Sequence, residues 1–177
     1  DGLRARAGRK LIIIPTINAG GSFPLVERER GTGGSTPSRR WLAALKDLRG
    51  IKDLRLIIID TLNSTMHGEE NSATVANEYV REATKVCGEL GAALIVTHHV
   101  RKPNENAKVI SGDDMLGAVR GSSALGAAFR VLIGVWHAHD YKARMTRMGL
   151  DPRKGFLYNF AILKANNQDS MRDHITL

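Results

Sequence analysis

Short β-branched runs alternate along the chain with longer stretches in which apolar residues recur every three or four positions. The runs predict strands, and the helical spacing predicts amphipathic helices between them. The predicted strands are residues 11–14, 55–60, 92–97, 130–136 and 156–164, with residues 174–177 expected to pair with the last of them. The predicted helices cover residues 38–50, about 72–90, 122–128 and about 140–148, with Ser38 as an N-cap and with Gly50 and Gly91 as helix ends. Strands that are apolar on both faces and separated by helices are typical of an α/β protein with a mostly parallel sheet.

Two polar stretches interrupt this pattern. Residues 18–37 are rich in Gly, Ser, Thr and Pro, which predicts a mobile loop. The stretch from Val100 to Gly117 is polar and contains Pro103, which predicts a second, long loop. Loops of that length in a compact domain are usually functional or disordered.

The composition is that of an ordinary globular domain, since 42% of the 177 residues are hydrophobic and 25% are charged. The net charge of +8 favours a polyanionic partner. No apolar run approaches the ~20 residues of a membrane helix, and residues 1–10 contain no apolar segment of a signal peptide. A single cysteine, Cys87, excludes a disulfide within the chain. These features predict a cytoplasmic protein without a membrane partner.

Asp60 ends the strand-forming run of residues 56–59 and is followed by Thr61. Four apolar residues and then an acidic one have the form of a Walker B element, in which a carboxylate on rigid backbone helps to hold Mg²⁺. A capping aspartate at the end of a buried strand has the same pattern. The segment alone therefore leaves a structural and a functional interpretation open.

His98 and His99 end the next predicted strand. Adjacent strand residues point to opposite faces, so the two histidines are not expected to chelate one metal together. One of them is expected to face a site shared with Asp60, and the other to pack or to meet solvent.

Two further groups of polar residues lie beside predicted elements. Arg120, Gly121, Ser122 and Ser123 open the predicted short helix, where a cation, hydroxyls and free backbone N–H groups suit a phosphate. An ordinary helix cap with a solvated arginine is the alternative. Lys164 ends the fifth strand, and its alternative interpretation is an exposed lysine at a sheet edge.

The order of these segments resembles the RecA-like ATPase core of plasmid hexameric replicative helicases of the RepA type. The resemblance covers about residues 50–168. It rests on the segments LIIIDTLNSTMHGEENS, GAALIVTHHVRK, AVRGSSALGAAFRVLIGVW and FAILKANN, which occur in the order of that family.

The resemblance implies a partial RecA-like P-loop NTPase domain over residues 1–177 that uses ATP and Mg²⁺. Asp60, followed by Thr61, would be the Walker B carboxylate that binds Mg²⁺ on the nucleotide. His99, or else His98, would sense the γ-phosphate. Lys164 would lie near the position from which related helicases reach a cation into the nucleotide of the neighbouring subunit.

The resemblance also implies a nucleic-acid site. Residues 100–119, with Arg101 and Lys102, would form a DNA-binding loop that faces the channel of a hexameric ring. Arg120, Gly121 and Ser122 would close that loop. The expected partners are single-stranded DNA and further copies of the same chain.

One element of the family is missing from the sequence. No G-x-x-x-x-G-K-[ST] motif occurs, so the phosphates of a nucleotide would have no cradle. In the family the P-loop and the catalytic glutamate precede the strand that residues 11–14 resemble. The chain is therefore expected to be the carboxyl-terminal part of a RecA-like domain that does not hydrolyse ATP by itself.

Two interpretations from other classes stay open. The first is a non-catalytic RecA-like module that assembles with, or regulates, DNA-replication proteins. The second is a metal-dependent hydrolase that uses Asp60, His98 and His99, although the chain lacks the density of Asp, Glu and His typical of such sites.

Overall fold

The structure, a computed structural model, describes residues 11–16, 20–28, 34–68, 72–100, 111–119, 123–166 and 175–176. Within these ranges the helices are α1 (Arg39–Arg49), α2 (Leu62–Thr65), α3 (Ala73–Leu90), α4 (Gly112–Ala118), α5 (Ser123–Ala128) and α6 (Tyr141–Arg147). The strands are β1 (Val26–Arg28), β2 (Ser35–Pro37), β3 (Leu56–Ile59), β4 (Ala93–Val96), β5 (Val131–His137), β6 (Tyr158–Ala165) and β7 (Ile175–Thr176). None of these helices is long and apolar enough to cross a membrane.

Local capping groups explain why the two longest helices begin and end where the sequence predicts. The Ser38 hydroxyl accepts a hydrogen bond from the Trp41 backbone N–H at 3.1 Å at the start of α1. Ser72 does the same for Val75 at the start of α3. Gly91 ends α3 in the left-handed conformation, with φ 62°, which a glycine adopts without a steric penalty. The predictions for these two helices are confirmed.

Helices α1, α3 and α5 pack around the main hydrophobic core. Its buried members are Leu25, Trp41, Leu45, Leu62, Ala76, Tyr79, Ala83, Val86 and Leu125. The Trp41 indole N–H donates to the Glu82 carboxylate at 3.1 Å and so joins α1 to α3. The hydroxyl of Tyr79 lies 3.0 Å from that of Thr65, which joins α3 to α2. Burial raises the pKa of Tyr79 to about 12.

The strands form three separate groups. β3 pairs with β4 in parallel, β5, β6 and β7 form an antiparallel sheet, and β1 pairs with β2 antiparallel. The prediction that residues 174–177 pair with the fifth strand is confirmed by β7. The expected mostly parallel sheet is wrong for the described strands. The segment between β5 and β6 contains α6, which packs at the ends of the two strands through Ala138, Met145 and Leu157. The chain therefore returns antiparallel along β6, without the crossover that a parallel pair of strands needs.

Residues 11–14 do not form the buried strand that their β-branched composition predicts. Their side chains are between 45% and 61% exposed, and no described strand pairs with them. A run of apolar residues becomes a strand only where a neighbouring backbone completes its hydrogen bonds.

The mobile loop predicted over residues 18–37 is wrong for the part of it that contains β1 and β2. Leu25 is fully buried in the main core, and its backbone N–H donates to the Thr65 carbonyl at 2.8 Å. The Ser38 backbone N–H in turn donates to the Leu25 carbonyl at 2.9 Å. One buried leucine therefore fixes a segment whose composition is that of a loop.

The prediction of a long loop up to Gly117 is wrong for residues 112–117, which belong to α4. Ser111 and Asp114 form a capping box, in which each side chain accepts from the backbone N–H of the other residue, at 3.1 Å and 2.9 Å. Met115 anchors the helix among buried residues. Residues 101–110 lie outside the described ranges.

The second predicted strand, β3 in the structure, is not buried on both faces, so the prediction is wrong for one face. Leu56 and Ile58 in β3 are 44% and 58% exposed, and Ile95 in β4 is 51% exposed. Ile59 and Leu94, which point the other way, pack against the main core. The helices of the described residues cover only one side of this two-stranded sheet.

Candidate functional site

The carboxyl ends of β3 and β4 bring Asp60 and Thr97 together. The parallel register pairs Ile59 with Val96, so the next residue of each strand lies beside its neighbour. The Thr97 hydroxyl donates to the Asp60 carboxylate, and the Thr97 backbone N–H donates to the Ile59 carbonyl at 3.0 Å. The Asp60 side chain is nevertheless exposed. A fixed and accessible carboxylate at the end of a strand is suited to holding a hydrated Mg²⁺.

Thr61 and its neighbours make the backbone after Asp60 rigid. The Thr61 N–H donates to the Ser64 hydroxyl at 3.1 Å, and that hydroxyl donates back to the Thr61 carbonyl at 2.6 Å. The Leu62 N–H donates to the Thr97 carbonyl at 2.8 Å, which ties the start of α2 to the end of β4. A cis peptide bond joins Asp60 to Thr61.

The two histidines differ in their surroundings. His98 is half-buried and lines a cavity beside β4, whereas His99 is exposed and does not line it. This difference agrees with the expectation that the side chains point to opposite faces. In the described part of the chain no group of three or more His, Cys, Asp or Glu side chains is placed to hold a metal ion. Asp60, His98 and His99 thus do not form the metal centre of the hydrolase interpretation.

The cavity separates the two larger sheets and has a volume of about 560 Å³. β4 lines one side and β5 the other, and side chains of α4, α5 and β6 close it with Met115, Leu125 and Leu163. Among the described strands β4 pairs with β3 alone and β5 pairs with β6 alone. The backbone edges of β4 and β5 that border the cavity are therefore outside any described sheet ladder.

Lys164 lies on β6 and binds the carboxyl end of α5. Its ammonium group donates to the carbonyl oxygens of Gly126, Ala127 and Phe129 at 3.1, 2.5 and 2.7 Å. Three hydrogen bonds engage all three protons of the ammonium group. The lysine is thus not a free edge residue in this structure, and its catalytic role stays a prediction.

The predicted nucleic-acid residues Arg101, Lys102, Arg120, Gly121 and Ser122 lie outside the described residues. The structure describes the two ends of the predicted DNA-binding loop, where an antiparallel bridge joins residues 100 and 119. That bridge holds the base of the predicted loop closed.

Thr97 is the site residue that sequence reasoning missed. Its signal was available, since Thr97 ends the third predicted strand as Asp60 ends the second. A hydroxyl there becomes a candidate once the two strands are taken to be parallel neighbours with their carboxyl ends at one edge.

The candidate site lies within the part of the chain that matches a known protein family. A family model described as an AAA domain matches residues 3–105, more than half of the chain. The matched range contains β3, β4, Asp60, Thr97 and both histidines. No curated protein matches the chain.

Proposed function

Since this chain belongs to the AAA domain family, a family related to P-loop NTPases, we propose that it carries the Walker B half of an ATPase site in a RepA-type DNA helicase. The membership makes it an ATPase-like domain, and the mixture of helices with a small parallel sheet fits an α/β NTPase-like fold. Our proposal adds three things to this membership: the RecA-like core, the helicase activity and the roles of single residues.

The observation that carries the proposal is the position of Asp60. Its carboxylate is exposed at the carboxyl end of β3 and held by Thr97, and His98 lies just after the end of the neighbouring parallel strand β4. Ligands of open α/β sheets bind at this edge of the sheet. Asp60 would hold Mg²⁺ on the nucleotide, which supplies charge neutralisation for phosphoryl transfer.

The cavity between β4 and β5 supports a RecA-like core. A P-loop unit consists of a strand, the phosphate-binding loop and a helix. A further strand placed in the cavity would have backbone partners on both sides and apolar side chains from both sheets around it. If it ran parallel to β4, its carboxyl end would lie beside Asp60 and His98, where the phosphates of ATP are expected. Such a strand would come from outside these 177 residues, which contain no P-loop motif.

The remaining parts of the motor belong to the same proposal. His98 or His99 would sense the γ-phosphate at the end of β4. The loop at residues 100–119, closed by Arg120, Gly121 and Ser122, would bind single-stranded DNA in the channel of a hexamer. Lys164 would act on the nucleotide of a neighbouring subunit.

The test is the ATP turnover of a longer form of the protein that includes a P-loop. Asp60→Asn is expected to abolish hydrolysis, because the carboxylate would bind Mg²⁺. It is expected to leave the far-ultraviolet circular dichroism spectrum unchanged, because the side chain is exposed and not part of the core. Asp53→Asn is the matched control, since Asp53 is an exposed residue in a turn before β3. Normal turnover by Asp60→Asn would refute the Walker B assignment.

The chain of 177 residues alone makes a complementary prediction. Its affinity for ATP with Mg²⁺ is expected to be very weak, because it has no phosphate cradle. Micromolar affinity together with steady turnover would contradict the dependence on a P-loop.

A non-catalytic RecA-like module is the second candidate, and the missing P-loop motif favours it. It predicts assembly with replication proteins and no ATP turnover in any longer form of the protein. The coding sequence upstream of residue 1 separates the two candidates, since the first requires a G-K-[ST] there.

A further inference from the structure

Four aromatic rings gather at the end of the β5–β6 sheet, beside α6. This ring cluster consists of His137, Tyr141, Phe156 and Tyr158. The His137 ring lies 5.2 Å from that of Phe156 and 4.5 Å from that of Tyr158, and Tyr141 lies 5.2 Å from Phe156, between ring centroids. His137 and Tyr158 are directly opposite each other in the strand register. The rings thus form one contiguous surface.

The ring cluster is displayed on a rigid base. Ala138, Met145 and Leu157 are buried beneath it, and the Ala138 N–H donates to the Leu157 carbonyl at 2.9 Å. Phe156 and Tyr158 remain 58% and 41% exposed above this base. An exposed aromatic surface on a fixed base is a candidate interaction site.

The charge around the ring cluster is strongly positive. Residues 137–158 contain five basic and two acidic side chains. Both acidic residues are engaged, because Asp140 pairs with Arg144 at 2.9 Å and Asp151 pairs with Arg153 at 3.1 Å. The other three cations are exposed and have no ion pair within the described ranges: Lys142, Arg147 and Lys154.

The basic side chains lie next to the rings. The Lys142 ammonium is 6.0 Å from the centroid of the Tyr141 ring. Lys154 precedes Phe156 by two residues, and Arg147 is in the last turn of α6. Aromatic faces among exposed cations are the combination by which proteins bind single strands, with bases stacked on the rings and phosphates paired with the cations.

We propose that the ring cluster, with Lys142, Arg147 and Lys154, binds single-stranded nucleic acid. This surface is distinct in sequence from the loop at residues 100–119, and the proposal does not depend on ATP or on a P-loop. A duplex is a poorer ligand because its bases are stacked inside and cannot lie on the rings. The bases would stack on Phe156 and Tyr158, which are 58% and 41% exposed.

The experiment measures the fluorescence anisotropy of labelled oligo(dT) titrated with the 177-residue chain. The double variant Phe156→Ala/Tyr158→Ala is expected to weaken binding by about 25-fold or more, since each of the two stacked bases contributes about 5- to 100-fold. Phe156→Trp is expected to retain the affinity, because it restores a ring. Leu42→Ala is the matched control, as Leu42 is 49% exposed on α1, outside the ring cluster.

The cations are tested by the dependence of affinity on salt. Reversal of the three cations to Glu is expected to lower the log–log salt slope by about 2, at about 0.7 for each phosphate contact of a single strand. The control reverses the same number of exposed lysines elsewhere: Lys46, Lys52 and Lys85.

Several outcomes would overturn the proposal. The first is unchanged oligo(dT) affinity in the ring variant, or an equal loss in Leu42→Ala. The second is a slope that falls equally in both charge reversals, or equal affinity for duplex DNA, since either would indicate a general attraction for polyanions. The third is tight binding to phosphatidylserine vesicles without binding to oligo(dT), which would assign the surface to membranes.

Failure of this proposal is distinguishable from failure of the proposed ATPase function. Loss of binding in Arg120→Ala but not in the ring variant would leave the loop as the DNA site and remove this one. Loss of binding in the ring variant but not in Arg120→Ala would assign the DNA site to the ring cluster and remove the loop. ATP turnover of the longer form and its Asp60→Asn variant is a separate measurement that neither result changes.

Discussion

Lys164→Met tests whether this lysine stabilises the fold. The carbonyl groups in the last turn of a helix have no partner within the helix, and those at the end of α5 receive their hydrogen bonds from Lys164. Methionine keeps a similar side-chain length and removes the ammonium group. The substitution therefore isolates the hydrogen bonds and the charge from the packing of the side-chain stem.

The expected loss follows from the contacts. A hydrogen bond that involves a charged group contributes about 1.5–3 kcal/mol, and a cation at a helix carboxyl end about 0.3–1 kcal/mol. Lys164 is half-buried, so water can replace part of these contacts when the ammonium group is removed. We therefore expect the free energy of unfolding to fall by about 1.5–3 kcal/mol in total, which is less than the sum of three such bonds.

Urea denaturation followed by circular dichroism measures this loss. Lys85→Met is the control, because Lys85 is exposed on α3, and its change is expected to stay within about 0.5 kcal/mol. Equal stabilities of Lys164→Met and Lys85→Met would refute the capping role. A reduced ATP turnover of the longer form with unchanged stability would instead indicate that Lys164 acts on the nucleotide, as the family resemblance implies.

Three further predictions concern the core, the pH dependence and the DNA loop. Gly134→Ala is expected to destabilise the fold by about 1–3 kcal/mol, because the new Cβ would lie 2.8 Å from Met115 Cγ. The Cβ of Gly88→Ala in α3 meets no atom within 4 Å. This second substitution is expected to stabilise the fold by about 0.5–1 kcal/mol in the same urea assay. The unfolded chain ionises Tyr79 near pH 10 and the folded one near its pKa of about 12. The contribution of Tyr79 to stability is therefore expected to be constant below pH ~10 and to fall by up to about 3 kcal/mol between pH ~10 and ~12. Tyr79→Phe is expected to remove this contribution in denaturation curves measured across that range. Arg120→Ala is expected to weaken single-strand binding equally for all sequences and to lower the salt slope by about 0.7, whereas an unchanged slope and affinity would contradict the loop assignment.

The sequence predicted those parts of the fold that local chemistry decides. Helices α1 and α3 were predictable because Ser38, Ser72 and Gly91 supply caps that act within one turn. The place of Asp60 at a strand end was predictable for a similar reason, since a run of four apolar residues followed by a carboxylate needs no distant partner to be recognised.

The parts that failed depend on distant residues. Residues 11–14 have the composition of a strand, but their exposure reflects the absence of a pairing neighbour among the described strands. The hairpin of β1 and β2 depends on Leu25, which packs on helices far along the chain. The bonds of Lys164 to α5 join residues more than thirty positions apart.

One failure was avoidable. The sequence around α4 contains a capping signal, with a serine at position 111 and an aspartate three residues later. That signal indicates a helix start within an otherwise polar stretch.

The central claim is that a P-loop strand fills the cavity between β4 and β5 and brings the phosphates of ATP to Asp60. Amide hydrogen exchange measures this at the backbone N–H groups within residues 94–96 and 131–135 that do not already donate to β3 or β6. In a longer form that includes a P-loop, we expect exchange at these positions to slow by at least about tenfold relative to the 177-residue chain, because both edges gain hydrogen-bonded partners. Equal exchange in the two forms, with ATP turned over by the longer one, would show that the P-loop strand lies elsewhere and would contradict the claim.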